Sequence, residues 1–158
     1  MGKLLSITTI VAAIVAAILW VMTAPEDLPP FDDFARIGDA DHGREVFYAA
    51  GCASCHSAPD ATGDAKLTLG GGRAFPSPFG TFFAPNISSD PEHGIGDWTA
   101  YELANAMKNG VSPDGQHYYP AFPYTSYSRI RNADIIDLHA FLNSLPAAST
   151  PNLPHDIP

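Results

Sequence analysis

Apolar residues open the chain without interruption. Leu4 to Met22 reads LLSITTIVAAIVAAILWVM and holds no charged side chain. As an α-helix rising ~1.5 Å per residue, this run reaches roughly 28 Å, close to the ~30 Å hydrocarbon core of a bilayer. Lys3 precedes it and Trp20 lies near its far end, which fits a span whose start stays on the cytoplasmic side. A cleaved signal peptide is the rival reading. Its best site, Met22-Thr23-Ala24, has a large residue three before the cut and Pro25 just after it. The pattern therefore predicts an uncleaved signal-anchor over residues 1–23, with everything beyond it exported. Residues 24–37, APEDLPPFDDFARI, then read as an extended, acidic, proline-stiffened linker.

Beyond the linker the apolar positions recur at helical spacing in three places. The first runs from about Asp39 through Tyr48, with Val46 and Phe47 inward. The second starts at Thr99, where TAYE is a capping box: Thr99 can bond the third amide and Glu102 can reach back. Ala100, Leu103, Ala104 and Met107 form its apolar face, and Gly110 closes it. The third starts near Asn132, presents Ile135, Leu138, Phe141, Leu142 and Leu145 as a stripe, and stops at Pro146. Residues 57–97 and 111–131 read as long irregular segments, and 147–158 as a Pro-rich tail. The expectation is an all-α domain over residues 38–146 with unusually long loops.

Loops of that length need a reason. Three short helices bury too little apolar surface to order so much irregular chain. A large, rigid, apolar insert would supply the missing surface. The two cysteines of the chain sit together in Gly51-Cys52-Ala53-Ser54-Cys55-His56, just after the first helix. A redox dithiol would need a βαβ context, which is absent here. Zinc would need further ligands at tight spacing, and His42, His93 and His117 are scattered. A disulfide across two residues closes too short a loop to stabilise much. Cys-x-x-Cys-His is instead the attachment signature of a c-type haem. Two thiols three positions apart add to the two porphyrin vinyl groups, and the next residue aims its imidazole at the iron.

Charge narrows the partners. The chain carries 8 basic and 17 acidic side chains, a net −9, and beyond Lys3 the balance is −10. Such a surface repels nucleic acid and anionic headgroups and suits a partner with a basic docking patch.

With these residues in place, Gly38 to Pro146 resembles the membrane-anchored single-haem class I c-type cytochromes. It is also similar to the haem modules in the cytochrome subunits of bacterial alcohol, gluconate and aldehyde dehydrogenases. The matching stretches are GCASCH, SPFGTFFAPNIS (77–88), GIGDWTAYELANAM (94–107), GVSPDGQHYYPAFPYTSY (110–127) and DIIDLHAFLNSLP (134–146). They lie within Gly38 to Pro146, a region that covers about two-thirds of the chain. The resemblance implies a class I cytochrome c fold in which first and last helices cross beside one covalent haem c. It implies Cys52 and Cys55 as thioether donors, His56 as proximal iron ligand, and electron transfer on the periplasmic face of the inner membrane.

The chain departs from that family at the sixth iron ligand. The expected methionine positions, three residues past YTSY or inside the YPAxPY segment, hold Ile130 and Phe122. His117, in the loop that normally supplies the ligand, Met107, on the second helix, and a position open or otherwise filled are the alternatives. Loss of Met ligation lowers the potential or leaves a vacant site. His42, His93, His139 and His155 read as solvent residues. Arg73 beside GGG is the candidate partner for a haem propionate, with Trp98 and Tyr118 as further donors, and Tyr101 and Tyr124 read as core.

The functional expectation is a tethered single-electron carrier that takes electrons from a dehydrogenase and delivers them to a terminal oxidase or another cytochrome. It does no bond chemistry of its own. The alternative is a haem-based sensor or small-ligand-binding module, motivated by the missing methionine. A subunit fixed in a dehydrogenase complex is a third arrangement.

Overall fold

The computed structural model describes residues 2–29 and 32–158, with side chains of 2–5, 32 and 33 left aside. The Lys3 charge and Pro30 and Phe31 of the expected linker lie outside the described residues. Helix α1 covers Gly2–Met22, and its described apolar side chains from Ile7 to Met22 are half or more exposed all around. Among the described residues no helix is long and apolar enough to cross a membrane.

Four helices frame the rest: α2 (Ala40–Ala50), α3 (Cys52–His56), α4 (Ala100–Asn109) and α6 (Asn132–Ser144), with a single turn, α5, at Tyr124–Tyr127. The patterned helices fall where the periodicity predicts them. Asp39 caps α2 by accepting from the amides of Asp41 and His42. At α4 the capping box closes: Thr99 Oγ1 accepts from Glu102 N at 3.2 Å and Glu102 Oε2 accepts from Thr99 N at 2.7 Å. Gly110 ends α4 in the left-handed region at φ 67°, and a β-carbon there would lie 2.6 Å from the Tyr124 ring.

The crossing of α2 and α6 is the main helix contact. Gly43 makes it possible, because a β-carbon at that position would lie 1.9 Å from the Asp137 carbonyl oxygen. Phe47 then meets Phe141 edge-on at 5.2 Å, fully buried, in a core shared with Leu69, Leu103, Met107, Ile135, Leu138 and Leu142. Asp137 sits in this crossing with its side chain 7% exposed. Arg36 Nη2 at 2.6 Å, His42 Nδ1 at 2.8 Å and the Asp39 amide at 2.8 Å all donate to its carboxylate. His42, its side chain 39% exposed, is thus a partner of the buried Asp137 as well as a solvent-facing residue.

Two expectations are corrected. The fold is mostly helical but not all-α, for β1 (Ala74–Ser77) and β2 (Gly80–Phe83) form an antiparallel hairpin. Pro76 hid it, since proline in a short segment reads as loop, yet an edge strand tolerates it. The linker is not free either. Leu28 N donates to Asn105 Oδ1 at 2.8 Å, Tyr101 Oη donates to the Leu28 carbonyl at 2.5 Å, and Asn109 Nδ2 donates to the Glu26 carbonyl at 2.7 Å. Phe34 completes the contact edge-on against Tyr101, ring centroids 5.5 Å apart. The tail is also ordered: Asp156 and Thr81 exchange backbone hydrogen bonds at 2.8 and 3.0 Å, laying the tail beside β2.

Candidate haem-attachment site

Gly51 is the hinge of the site. In the left-handed region at φ 72°, it closes α2 through bonds to the Phe47 and Tyr48 carbonyls and starts α3 in a new direction. On α3 the spacing of Cys52, Cys55 and His56 puts all three on one face of a helical turn. Both thiols are free. Burial, helped by the nearby Cys55, pushes the Cys52 thiol up to about 11.

His56 is held by Nδ1, its ring nitrogen nearer the backbone. Its Nδ1 lies 2.9 Å from the Pro85 carbonyl, so Nδ1–H donates and Nε2 keeps its lone pair. Burial lowers its pKa, with the Pro85 bond opposing, so the ring is neutral and able to ligate. The Pro85 carbonyl is itself fixed. Asn86, almost fully buried, takes a bond from its own amide to Asn152 Oδ1 at 2.6 Å. Its Nδ2 donates to the Ala148 and Thr150 carbonyls at 2.6 and 3.0 Å. Gly71 N donates to the His56 carbonyl at 2.8 Å, closing the same loop onto α3. Pro85, Asn86 and the tail were missed in the sequence as positioning elements. Their signal was the APN triplet, followed by a polar residue, Asn152, inside an apparently disposable tail.

The donor set fits a c-type haem: two unpaired thiols and a neutral imidazole with a free Nε2, all on one face. Among the described residues no group of three or more His, Cys, Asp or Glu side chains gathers as a metal cluster would.

Segment 118–130 closes on the thiols from another arm. Tyr127 Oη donates to the Ala50 carbonyl at 3.0 Å, and its pKa is raised by burial and by the proximity of Cys52 and Cys55. Phe122, Tyr127 and Ile130 each pack against the same core that Cys52 packs against. Of the candidate sixth ligands, Met107 is buried in that core at 6% exposure, the packing role. His117 is exposed, and its Nε2 lies 3.0 Å from the Thr23 carbonyl. His139 is half-buried and donates Nε2–H to the Trp98 carbonyl at 2.7 Å, so it is no solvent residue.

Arg73 is set apart from the cysteines. It lines a cleft of about 350 Å³ with Lys66, Tyr48, Ala53, Ser54 and Ser57, the face of α3 turned away from Cys52, Cys55 and His56. Its Nε is buried without a hydrogen-bond partner and its Nη2 reaches the Pro59 carbonyl at 3.4 Å. Tyr118 stacks edge-on against Phe122 at 5.8 Å, and burial next to Asp114 pushes its hydroxyl up to about 12.

Comparison with known proteins agrees with the geometry. A family model described as cytochrome c matches residues 40–146. A "Diheme cytochrome c-type" protein of Cereibacter sphaeroides is 49% identical over 142 residues, 90% of this chain and 48% of that protein. The "Fructose dehydrogenase cytochrome subunit" of Gluconobacter japonicus is 36% identical, covering 63% of this chain and 20% of its own length. The "Alcohol dehydrogenase (quinone), cytochrome c subunit" of Gluconobacter oxydans is 37% identical, covering 68% and 22%. The chain thus spans about half or less of the length of these relatives. The matched region begins at α2 and ends with Pro146, so it contains the crossed helices, both thiols and His56, and the chain belongs to the cytochrome c family.

Proposed function

We propose that the protein is a membrane-tethered, single-haem electron carrier on the periplasmic face, taking electrons from a dehydrogenase and passing them to a terminal oxidase or another cytochrome. The observation that carries this reading is the face of α3: two free thiols beside an imidazole whose Nδ1–H is anchored on Pro85, leaving Nε2 for iron. Bound haem supplies one-electron chemistry. Cys52 and Cys55 would hold it covalently, and His56, whose pKa burial lowers, would offer Nε2 to the iron. The two cysteines of the chain suffice for one such group. The relatives named as dehydrogenase cytochrome subunits support a dehydrogenase as donor. The uncharged run from Leu4 to Met22 supports the tether, which would raise the effective concentration near membrane partners.

The test is expression of the full chain with a working haem-maturation system. The product is expected in the membrane fraction, resistant to carbonate wash, heavier than the polypeptide by one haem, and reducible by a membrane dehydrogenase with its substrate. A colourless product of bare-chain mass overturns the reading. A soluble haemoprotein overturns only the tether.

A further inference from the structure

The carbonyl that holds His56 belongs to a residue with little grip of its own. Pro85 is exposed and, as a proline, has no amide hydrogen to bond. Its oxygen accepts from His56 Nδ1–H at 2.9 Å. The same peptide unit ends in the amide of Asn86, which donates to Asn152 Oδ1 at 2.6 Å. Partial double-bond character keeps that unit flat, so its oxygen and its hydrogen move together. One rigid plate therefore meets His56 at one end and the tail at the other.

The rest of Asn86 strengthens the same joint. Its Nδ2 donates to the Ala148 and Thr150 carbonyls, its Oδ1 accepts from Ser88 N at 2.9 Å, and it is 2% exposed. Ser88 Oγ accepts from the Ala148 amide at 3.0 Å, and Asn152 Nδ2 donates to the His93 carbonyl at 3.1 Å. Gly71 closes in on the carbonyl as well, since a β-carbon there would lie 2.6 Å from the Pro85 oxygen. Asn152 itself lies beyond Pro146, where the family match ends.

We propose that Asn152 is a positioning residue for His56, acting through the Pro85–Asn86 peptide to lower the midpoint potential of the haem domain. The inference rests on the haem reading and deepens it. Hydrogen bonds in series polarise one another. A peptide whose N–H is donated carries a more negative oxygen, which draws the His56 Nδ1 proton harder. The imidazole becomes a more basic ligand and favours the oxidised iron. Asn152 is neutral and exposed, so its influence travels through the peptide and not through charge.

The experiment is equilibrium redox titration of the holoprotein, with exchange of the His56 Nδ1 proton followed by nuclear magnetic resonance. Asn152→Ala removes the acceptor from the Asn86 amide. Its midpoint potential is expected to rise, and the Nδ1 proton to exchange at least about fivefold faster. Asn152→Asp keeps an acceptor oxygen, and a charged one bonds more strongly. It should return both readouts to the parent values or beyond, even at 1 M salt, where the Debye length is ~3 Å. Ser149→Ala breaks a different tail bond, Ser149 Oγ to Asp90 Oδ2 at 2.8 Å, and should move neither readout. A parent-like potential and exchange rate in Asn152→Ala overturn the inference while the haem reading stands. So does a rise of equal size in Ser149→Ala, or an Asn152→Asp that behaves like Asn152→Ala, because tail order alone would then set the potential. Absence of any haem band in the parent protein overturns both.

Discussion

His117 Nε2 lies 3.0 Å from the backbone carbonyl of Thr23, so the loop after α4 is joined to the residue that leaves α1. The joint continues along the segment. Asn105, 5% exposed, accepts from the Leu28 amide through Oδ1 and donates to Asp27 through Nδ2, while Asn109 holds the Glu26 carbonyl. A proline-rich acidic segment would otherwise wander. Here α4 serves as its dock.

Asn105→Ala should undo that dock. It removes both side-chain bonds and leaves the Leu28 amide short of its acceptor, a loss of about 1–3 kcal/mol. The open fraction of the segment should then rise roughly 5- to 150-fold. Limited proteolysis between residues 24 and 29 reads that fraction, because cleavage follows the opened population when reclosing is fast. His117→Ala, at an exposed bond, should accelerate cleavage far less. Equal rates for Asn105→Ala and the parent chain would show that the dock does not hold in solution.

A second expectation concerns the crossing of α2 and α6. Gly43→Ala would place a methyl 1.9 Å from the Asp137 carbonyl and 2.9 Å from the Phe141 β-carbon. The nearest atom belongs to backbone, so the helices themselves must part. A cost at or above the ~1–3 kcal/mol typical of overpacking is expected. Denaturant unfolding of the holoprotein should show it as a lower midpoint. A substitution at exposed Glu45, on the same helix, should be within about ±0.5 kcal/mol of the parent.

Acid should act through Asp137. Burial pushes its pKa up, but bonds from the Asp39 amide, His42 and Arg36 win and hold it below the ordinary carboxylate value. A carboxylate depressed on folding stabilises the native state fully above its unfolded pKa of ~3.9. That contribution is lost as pH falls through the lower, folded value. Stability measured from pH 6 downward should therefore decline below about pH 4, and Asp137→Ala should flatten that decline. At neutral pH the same variant should cost about 1–3 kcal/mol, since it leaves the Asp39 amide without its acceptor while Arg36, 39% exposed, can turn to water. A decline of unchanged steepness in Asp137→Ala would assign the acid sensitivity to other carboxylates.

The sequence revealed what depends on local chemistry. The Thr99–Glu102 box, the Gly110 stop and the Cys52-Cys55-His56 face involve residues within four positions of one another, so their spacing alone carries the geometry. The positioning of His56 depends on contacts distant in sequence. Pro85 lies 29 residues from His56, and Asn86 is held by carbonyls more than 60 residues away. Asp137 shows the same limit. It lies off the apolar stripe of α6, and its partner Arg36 stands about a hundred positions earlier. The hairpin was concealed because Pro76 and Pro78 outweigh the aromatic strand signal of Phe75, Phe82 and Phe83.

Net charge gives the last expectation, about partners. With a net −9 the protein should attract cationic redox agents and repel anionic ones, and salt should weaken both effects as the Debye length contracts from ~30 Å at 0.01 M to ~8 Å at 0.15 M. Stopped-flow oxidation of the reduced holoprotein by hexaammineruthenium(III) should slow as salt is added, whereas oxidation by ferricyanide should speed up. Arg73 and Lys66 are the local exception, because both line the cleft behind α3. If the haem edge opened there, ferricyanide oxidation would instead slow with salt, and Lys66→Glu would reverse the trend. The opposite salt slopes of the two oxidants thus report which surface, the acidic bulk or the basic cleft, faces the incoming electron partner.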